Sequence, residues 1–313
     1  MSDSKQSKVL LTGSTGFVGK QVVECLSPTY ELHAITTRST QIEGISKTYQ
    51  WDSLDTINDS YDAVIHMAGL AHDTQNKRDE SEYYDVNVGL TEKILEKLKS
   101  WNTSIFVYLS SVKAVVDSTS SEILSEKDIS TASNVYGRSK LAAEQLILSS
   151  KEAQSMVVLR PVLIYGKGQK GNLNTLHKLI SKGVWFPFKN WVNRRSVLSI
   201  NNLTAVIQSN LQTPIPTGVY FVSDDDPIST VRLLQLIGKG FDKKIRFIAM
   251  PNGMIKFAIG VLPKKLKSFT DKILGSLEVD NSKLKLALGI NEMPYRTTDD
   301  LPKAFSDVPQ TKS

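Results

Sequence analysis

The sequence predicts an α/β fold, a Rossmann-type doubly wound parallel sheet with a smaller, irregular C-terminal lobe that binds substrate. Three observations predict it. Short apolar runs of strand type alternate with amphipathic helical stretches from Val9 to Leu159, the order that builds a parallel sheet with helices on both faces. A Gly-rich turn joins the first run to the first helical stretch. After Arg160-Pro161 glycines, prolines and aromatics become frequent over 165–191 and the helices shorten. That change marks a smaller region covering the C-terminal edge of the sheet, where ligands bind in such folds.

The elements follow in order. Val9-Leu10-Leu11-Thr12 is a short buried-type strand. Helical periodicity runs over 17–26, and strands are expected over 32–36 and 62–67. A long amphipathic helix occupies 82–98, a strand 105–109, a helix 136–148 and a strand 156–159. Strands near 196–200 and 219–222 are expected to return to the main sheet. The division is therefore a dinucleotide-binding part over 1–165 and a substrate-binding lobe over 166–313, interleaved through 196–222.

Composition narrows the class. At 313 residues, 40% hydrophobic and 22% charged, the chain has the make-up of a soluble globular protein with a full core. One cysteine, Cys25, excludes an internal disulfide and fits a reducing, cytoplasmic setting. No segment approaches the roughly 20 apolar residues that span a bilayer, so stable membrane insertion is not expected. The polar start, Met1 to Lys8, does not read as a signal peptide. A net charge of +6 is too dispersed for nucleic-acid binding. It has one concentration: Lys256, Lys264, Lys265, Lys267 and Lys272 flank an apolar run over 255–262. That pattern reads as a packed helix with solvated lysines, an anionic membrane surface being the alternative.

The chemistry sits in a few places. Thr12-Gly13-Ser14-Thr15-Gly16-Phe17-Val18-Gly19 stands between a strand and a helix. Glycines there allow a tight turn and close approach of the backbone to a pyrophosphate at the helix N-terminus. Gly13, Thr15, Gly16, Phe17, Val18 and Gly19 are thus assigned to a dinucleotide. An NAD-binding chain usually carries Asp or Glu at the end of the second strand. This one reads Ile35-Thr36-Thr37-Arg38-Ser39. Arg38 is placed to clamp a 2′-phosphate, which favours NADP(H), with NAD still possible. Asp52, followed by Ser53, is placed to accept from the adenine amino group, or else caps the next segment.

Tyr136 and Lys140 lie one helical turn apart, so both heads reach one small volume. An ammonium there is expected to lower the phenol below its ordinary value of about 10. By itself Tyr-x-x-x-Lys is a pattern that chance supplies roughly once in such a chain. Its surroundings give it weight. With the Gly loop, Asp52, His66-Met67-Ala68-Gly69, Asn87 and Ser110-Ser111, the pair resembles the extended short-chain dehydrogenase/reductase family, over nearly the whole chain. Ser111 precedes Tyr136 by the separation seen in that family's nucleotide-sugar epimerases.

The resemblance implies that Ser111 and Tyr136 flank the reacting oxygen, while Lys140 binds the nicotinamide ribose and tunes the Tyr. It adds Met67, Ala68, Gly69, Asn87 and Pro161 to the cofactor site. In the lobe, Asn172-Leu173 look like the pair that meets a nucleotide-sugar diphosphate. Asn193-Arg194-Arg195-Ser196-Val197 look like the segment whose arginine, Arg195 by position, grips it. Lys113 and His72 are further candidates for sugar or phosphate. No metal site is expected. Lys167-Gly168-Gln169-Lys170-Gly171-Asn172 and Gly275-Ser276-Leu277-Glu278-Val279-Asp280 carry a likeness to bacterial enzymes handling UDP-N-acetylhexosamines for O-antigen and other surface polysaccharides. A homodimer through the helices beginning near Glu82 and Tyr136 is implied by resemblance alone.

Three chemistries share such a scaffold. The family's dehydratases carry Asp-Glu just after the catalytic Ser/Thr, where this chain has Val112-Lys113. Its 4-epimerases usually carry the acidic NAD residue missing here. The expected activity is therefore NADP(H)-dependent reduction of a UDP-4-keto-6-deoxy-N-acetylhexosamine at C4. The alternatives are a UDP-sugar 4-epimerase with tightly bound NAD and, behind it, a non-catalytic NADP-binding sensor.

Overall fold

The structure, a computed structural model, describes residues 6–37, 41–70, 79–169 and 171–306. Seven parallel strands form the central sheet, in the spatial order Gly218–Val222, Ser155–Pro161, Ile105–Leu109, Ala63–His66, Lys8–Thr12, Glu31–Thr36, Lys47–Gln50. The order reverses between Lys8–Thr12 and Ala63–His66. That reversal opens a crevice at the strands' C-terminal ends.

Period-two alternation sends the strand side chains to two cores. Val9, Leu11, Ile65, Val107, Val157 and Leu159 face helices Phe17–Leu26 and Ile200–Gln212, meeting Val22, Leu26, Leu203 and Ile207. Leu10, Val64, Phe106, Tyr108, Met156 and Val158 face the other side, meeting Ile94, Leu98, Ala143 and Ile147. Both faces are buried, so the strands read as continuous apolar runs.

The long helix expected over 82–98 begins earlier and is not uniform. Helix Glu80–Tyr84 passes through a π turn, Asp85–Gly89, into helix Leu90–Leu98. The lobe has its own core, in which Leu173, Leu176 and Ile180 of helix Asn172–Ser181 meet Leu234 and Ile237 of helix Thr230–Gly240.

One of the two returning strands does return. Gly218–Val222 pairs with Ser155–Pro161 in parallel and closes that edge. The segment near 196–200 does not join the sheet. Its strand, Val197–Ser199, pairs instead with Leu163–Tyr165. Asp224, just beyond the edge strand, accepts a hydrogen bond from the Ser199 amide at 2.8 Å.

Candidate active site

The Gly loop is built by close approach. Gly13 has φ of +73°, and a Cβ there would stand 2.7 Å from the Ala68 nitrogen. A Cβ on Gly19 would stand 2.1 Å from the Gly13 carbonyl oxygen. Larger residues would push the helix off the turn. Helix Phe17–Leu26 starts at Gly16 without a side-chain cap, so its first N–H groups remain for a ligand. The buried Ser14 hydroxyl has no partner among the described residues. An uncapped helix end, an orphaned donor and a turn with no room for side chains fit a dinucleotide pyrophosphate.

Behind the loop lies a buried chain of hydrogen bonds with one consistent direction. The Ala68 amide donates to Thr12 Oγ1 at 3.0 Å, and Thr12 Oγ1 meets His66 Nδ1 at 2.6 Å. His66 Nε2 meets Thr91 Oγ1 at 3.0 Å, and that hydroxyl donates to the Asn87 carbonyl at 2.8 Å. Thr91 therefore accepts from Nε2–H, and Nδ1 accepts from Thr12. Burial, then Lys140, pulls His66 down to about 3, so the ring is neutral. Asn87 lies in the π turn. It accepts from the Leu70 amide at 2.8 Å and donates to Ser139 Oγ at 2.9 Å. Asn87 thus ties the loop after Ala63–His66 to the helix carrying Tyr136, and its amide is used there.

Helix Val135–Ser149 holds Tyr136 and Lys140. Its N-cap Asn134 accepts from the Gly137 amide at 2.8 Å, a bond worth about 1 kcal/mol in such positions. Asp117 accepts from the amides of Ser133 and Asn134, both at 3.1 Å, and fixes the helix start.

The electrostatics differ from the expectation that Lys140 lowers the phenol. Burial pushes Tyr136 up to about 12, the hydrogen bond from Ser111 works against it, and Tyr83 adds to the rise. Lys140 Nζ is engaged elsewhere, donating to the Leu109 carbonyl at 2.9 Å and the Tyr108 hydroxyl at 3.2 Å. Burial brings Lys140 down to about 8, with Glu144 opposing. In the protein alone the phenol is protonated throughout the neutral range.

A cleft of about 520 Å³ joins these parts to the lobe. Gly13, Gly16, Phe17, Val18, Gly19, Met67, Gly69, Lys140 and Pro161 line it on the sheet side. Ser111, Lys113 and Tyr136 stand at its centre, and Asn172, Leu173 and Arg195 line the lobe side. Thr15 is exposed on the Gly loop. Ala68 turns its amide to Thr12, as above. Asp52 is exposed beyond strand Lys47–Gln50, in the first turn of the 3-10 helix Trp51–Thr56. Ser53, not Asp52, makes the cap there, accepting from the Gln50 amide at 3.1 Å. Neither Asp52 nor Ser53 lines the cleft. Arg38 and His72 lie outside the described residues.

The two arginines separate. Arg194, 62% exposed, forms a two-pronged pair with Glu278 at 2.7 and 2.9 Å. Arg195 is only 8% exposed and donates to the Gly275 carbonyl at 2.6 Å. Burial lowers it to about 10. Burial, then Lys272, pulls Lys113 down to about 8, with Asp117 opposing and Arg195 adding to the fall. Three cations thus stand within electrostatic reach of one another in the cleft that Asn172, first residue of helix Asn172–Ser181, also lines. Among the described residues no cluster suited to a metal ion occurs.

Residues 9–184 match the model of the NAD-dependent epimerase/dehydratase family. The chain belongs to that family. Among its curated relatives is UDP-glucose 4-epimerase of Vibrio cholerae, 29% identical over 323 residues, covering 98% of this chain and 96% of that one. Another is N-acetyl-α-D-glucosaminyl-diphospho-ditrans,octacis-undecaprenol 4-epimerase of Escherichia coli O157:H7, 24% identical over 277 residues, covering 85% and 81%. Among solved structures, UDP-N-acetylglucosamine 4-epimerase from Bacillus cereus superposes with a TM-score of 0.74 at 22% identity, covering 96% and 98%. That last likeness is one of fold.

Several cleft residues of this epimerase/dehydratase chain were not found from sequence. Lys272 stood among the lysines read as solvated, yet it lines the cleft, as do Gln169, Leu233, Ile273 and Leu277. Gln169 accepts from the Gly166 amide at 3.0 Å, and its buried Nε2 has no partner among the described residues. No periodicity marks these positions, because the lobe's folding alone brings them to the sheet. Gln169 and Leu277 do fall within the 167–172 and 275–280 stretches singled out above, though without a role.

Proposed function

We propose that this chain reduces a UDP-linked 4-keto-6-deoxy-N-acetylhexosamine at C4, with NADP(H) as the favoured cofactor. The observation that carries the reading is the lining of one cleft, in which Tyr136, hydrogen-bonded by Ser111, stands with the Gly loop and with Lys113, Lys272 and Arg195. A bound nicotinamide dinucleotide supplies the hydride for such a reduction. The Gly loop, Met67, Gly69, Lys140 and Pro161 would hold that dinucleotide. Tyr136 donates its proton to the developing C4 alkoxide, and Ser111 hydrogen-bonds the same oxygen. Arg195, Lys113 and the start of helix Asn172–Ser181 bind the diphosphate, where charge-assisted bonds are strongest. The same reading takes the protein as a cytoplasmic homodimer.

Elimination of water needs a further acid and base. Ser111 is followed by Val112 and Lys113, and Asp117, the carboxylate among the described lining residues, is held by Ser133 and Asn134. Dehydration is thus poorly served.

A 4-epimerase is the second reading, favoured by the near-complete coverage of the Vibrio cholerae relative. The cation cluster suits a diphosphate on a nucleoside or on a lipid, the two forms in the relatives' names. NADPH consumption with the 4-keto sugar distinguishes the readings. Interconversion of UDP-GlcNAc and UDP-GalNAc without added reductant contradicts the first.

A further inference from the structure

Helix Asn252–Gly260 has two apolar faces. Ile255, 4% exposed, and Ile259 pack inward on the lobe core. Met254, Phe257 and Val261 recur at the spacing of one helix face, and they are 57%, 75% and 70% exposed. Exposed aromatic and aliphatic residues in such a row are unusual on a surface that meets only water. The strand just before the helix continues the pattern. Ile248 is exposed, and Arg246 lies over the half-exposed Trp185 ring at 5.7 Å. A Trp with a polar tip beside a cation suits the boundary between lipid headgroups and acyl chains.

Charge gives the occupant. Residues 243–274 hold eight Lys and Arg against one acid, Asp271, while the whole chain nets +6. The basic surplus of the protein therefore lies wholly in this segment. Lys243, Lys244, Arg246, Lys256 and Lys267 are exposed. Among the described residues no helix is long and apolar enough to cross a membrane. An amphipathic helix with an apolar face and flanking cations lies in an anionic headgroup plane instead.

We propose that residues 243–267 dock this protein on the surface of an anionic lipid bilayer, with Met254, Phe257 and Val261 entering the headgroup region. The next helix, Lys264–Leu274, ends in Lys272 and Ile273, which line the cleft. The proposal goes beyond the C4 reduction and stands whether or not that reading holds.

Vesicle co-sedimentation of the full chain tests it, using phosphatidylcholine alone and phosphatidylcholine with about one third phosphatidylglycerol. The protein is expected to sediment with the anionic vesicles, to stay in solution with the neutral ones, and to be released as salt is raised. Met254→Ser/Phe257→Ser/Val261→Ser should weaken binding about tenfold or more, since apolar area drives interfacial insertion. Lys256→Glu/Lys267→Glu should weaken binding to the anionic vesicles and make what remains less sensitive to salt. Both variants should keep wild-type cofactor binding and turnover of the soluble substrate, which separates failure of docking from failure of the catalytic reading. Absence of sedimentation with anionic vesicles overturns the proposal. So does equal sedimentation of wild type and triple variant, or equal retention on a DNA duplex, which would make the face a general polyanion binder.

Discussion

Tyr136 shows what one residue's surroundings decide. Its phenol is held protonated because burial outweighs the bond from Ser111. A phenol in that state can give a proton to a developing alkoxide. Tyr136→Phe should lower kcat by about 10²–10⁴-fold, the usual worth of a positioned acid, while leaving the cofactor Kd nearly unchanged in a fluorescence titration. Lys140 makes a second prediction. Burial lowers its folded value from 10.5 to about 8. Between those values the unfolded chain holds a proton that the folded chain has released, so stability rises with pH across that window. Below 8 the full cost of the buried ammonium remains. Lys113 adds a similar rise. Urea melts across the window should show a slope that Lys140→Met reduces; an unchanged slope would mean that Lys140 is not the buried cation described. Tyr136 and Lys140 were legible in the sequence as a pair because helical spacing sets their positions, and Ser111 joined them through the family resemblance. Their proton states were not, because those depend on Tyr83, Tyr108, Leu109 and Glu144, brought in by folding.

At the scale of elements, an ion pair locks the helix that carries Tyr136 to the sheet. Glu144 of helix Val135–Ser149 receives Arg160 of strand Ser155–Pro161 through bonds of 3.1, 3.1 and 2.6 Å, and it also accepts from Ser110. Glu144 is 1% exposed and Arg160 8%. Removing one member of such a pair leaves an uncompensated buried charge, so Glu144→Ala should cost about 3–5 kcal/mol in denaturant melts. Gly19→Ala tests the turn. With 2.1 Å between the added carbon and the Gly13 oxygen, the variant should lose dinucleotide binding by calorimetry while the far-ultraviolet circular dichroism stays close to wild type. Helices 17–26 and 136–148 and the strand 105–109 could be read almost to the residue, since buried period-two and period-3.6 patterns are strong there. The π turn at Asp85–Gly89 was not, because the helical segment before it, Glu80–Tyr84, is too short to show a phase of its own. Val197–Ser199 was misplaced for a different reason. An apolar run does not say which sheet edge is vacant.

The whole molecule is a sheet with a core on each face and a lobe with a core of its own, and one cleft is lined from both sheet and lobe. Lys113, Arg195 and Lys272 come from distant parts of the chain, and all three line the cleft, where the proposed function has them receive a diphosphate. The sequence revealed the nucleotide half because its motifs are local. It revealed less of the lobe, where Lys272 and Gln169 reach the cleft only through tertiary packing. Arg195→Met should weaken UDP binding in calorimetry by about tenfold or more, the worth of a charge-assisted pair, while dinucleotide binding persists. Equal loss of both would mean that Arg195 supports the fold instead. The most direct test of the central claim is a single incubation of the protein with NADPH and a UDP-4-keto-6-deoxy-N-acetylhexosamine, followed by nicotinamide absorbance and by NMR of the sugar. C4 reduction predicts one NADPH oxidised for each C4 alcohol formed, and neither change with Tyr136→Phe. Unchanged NADPH, with UDP-GlcNAc and UDP-GalNAc interconverted in a parallel reaction lacking reductant, would contradict it.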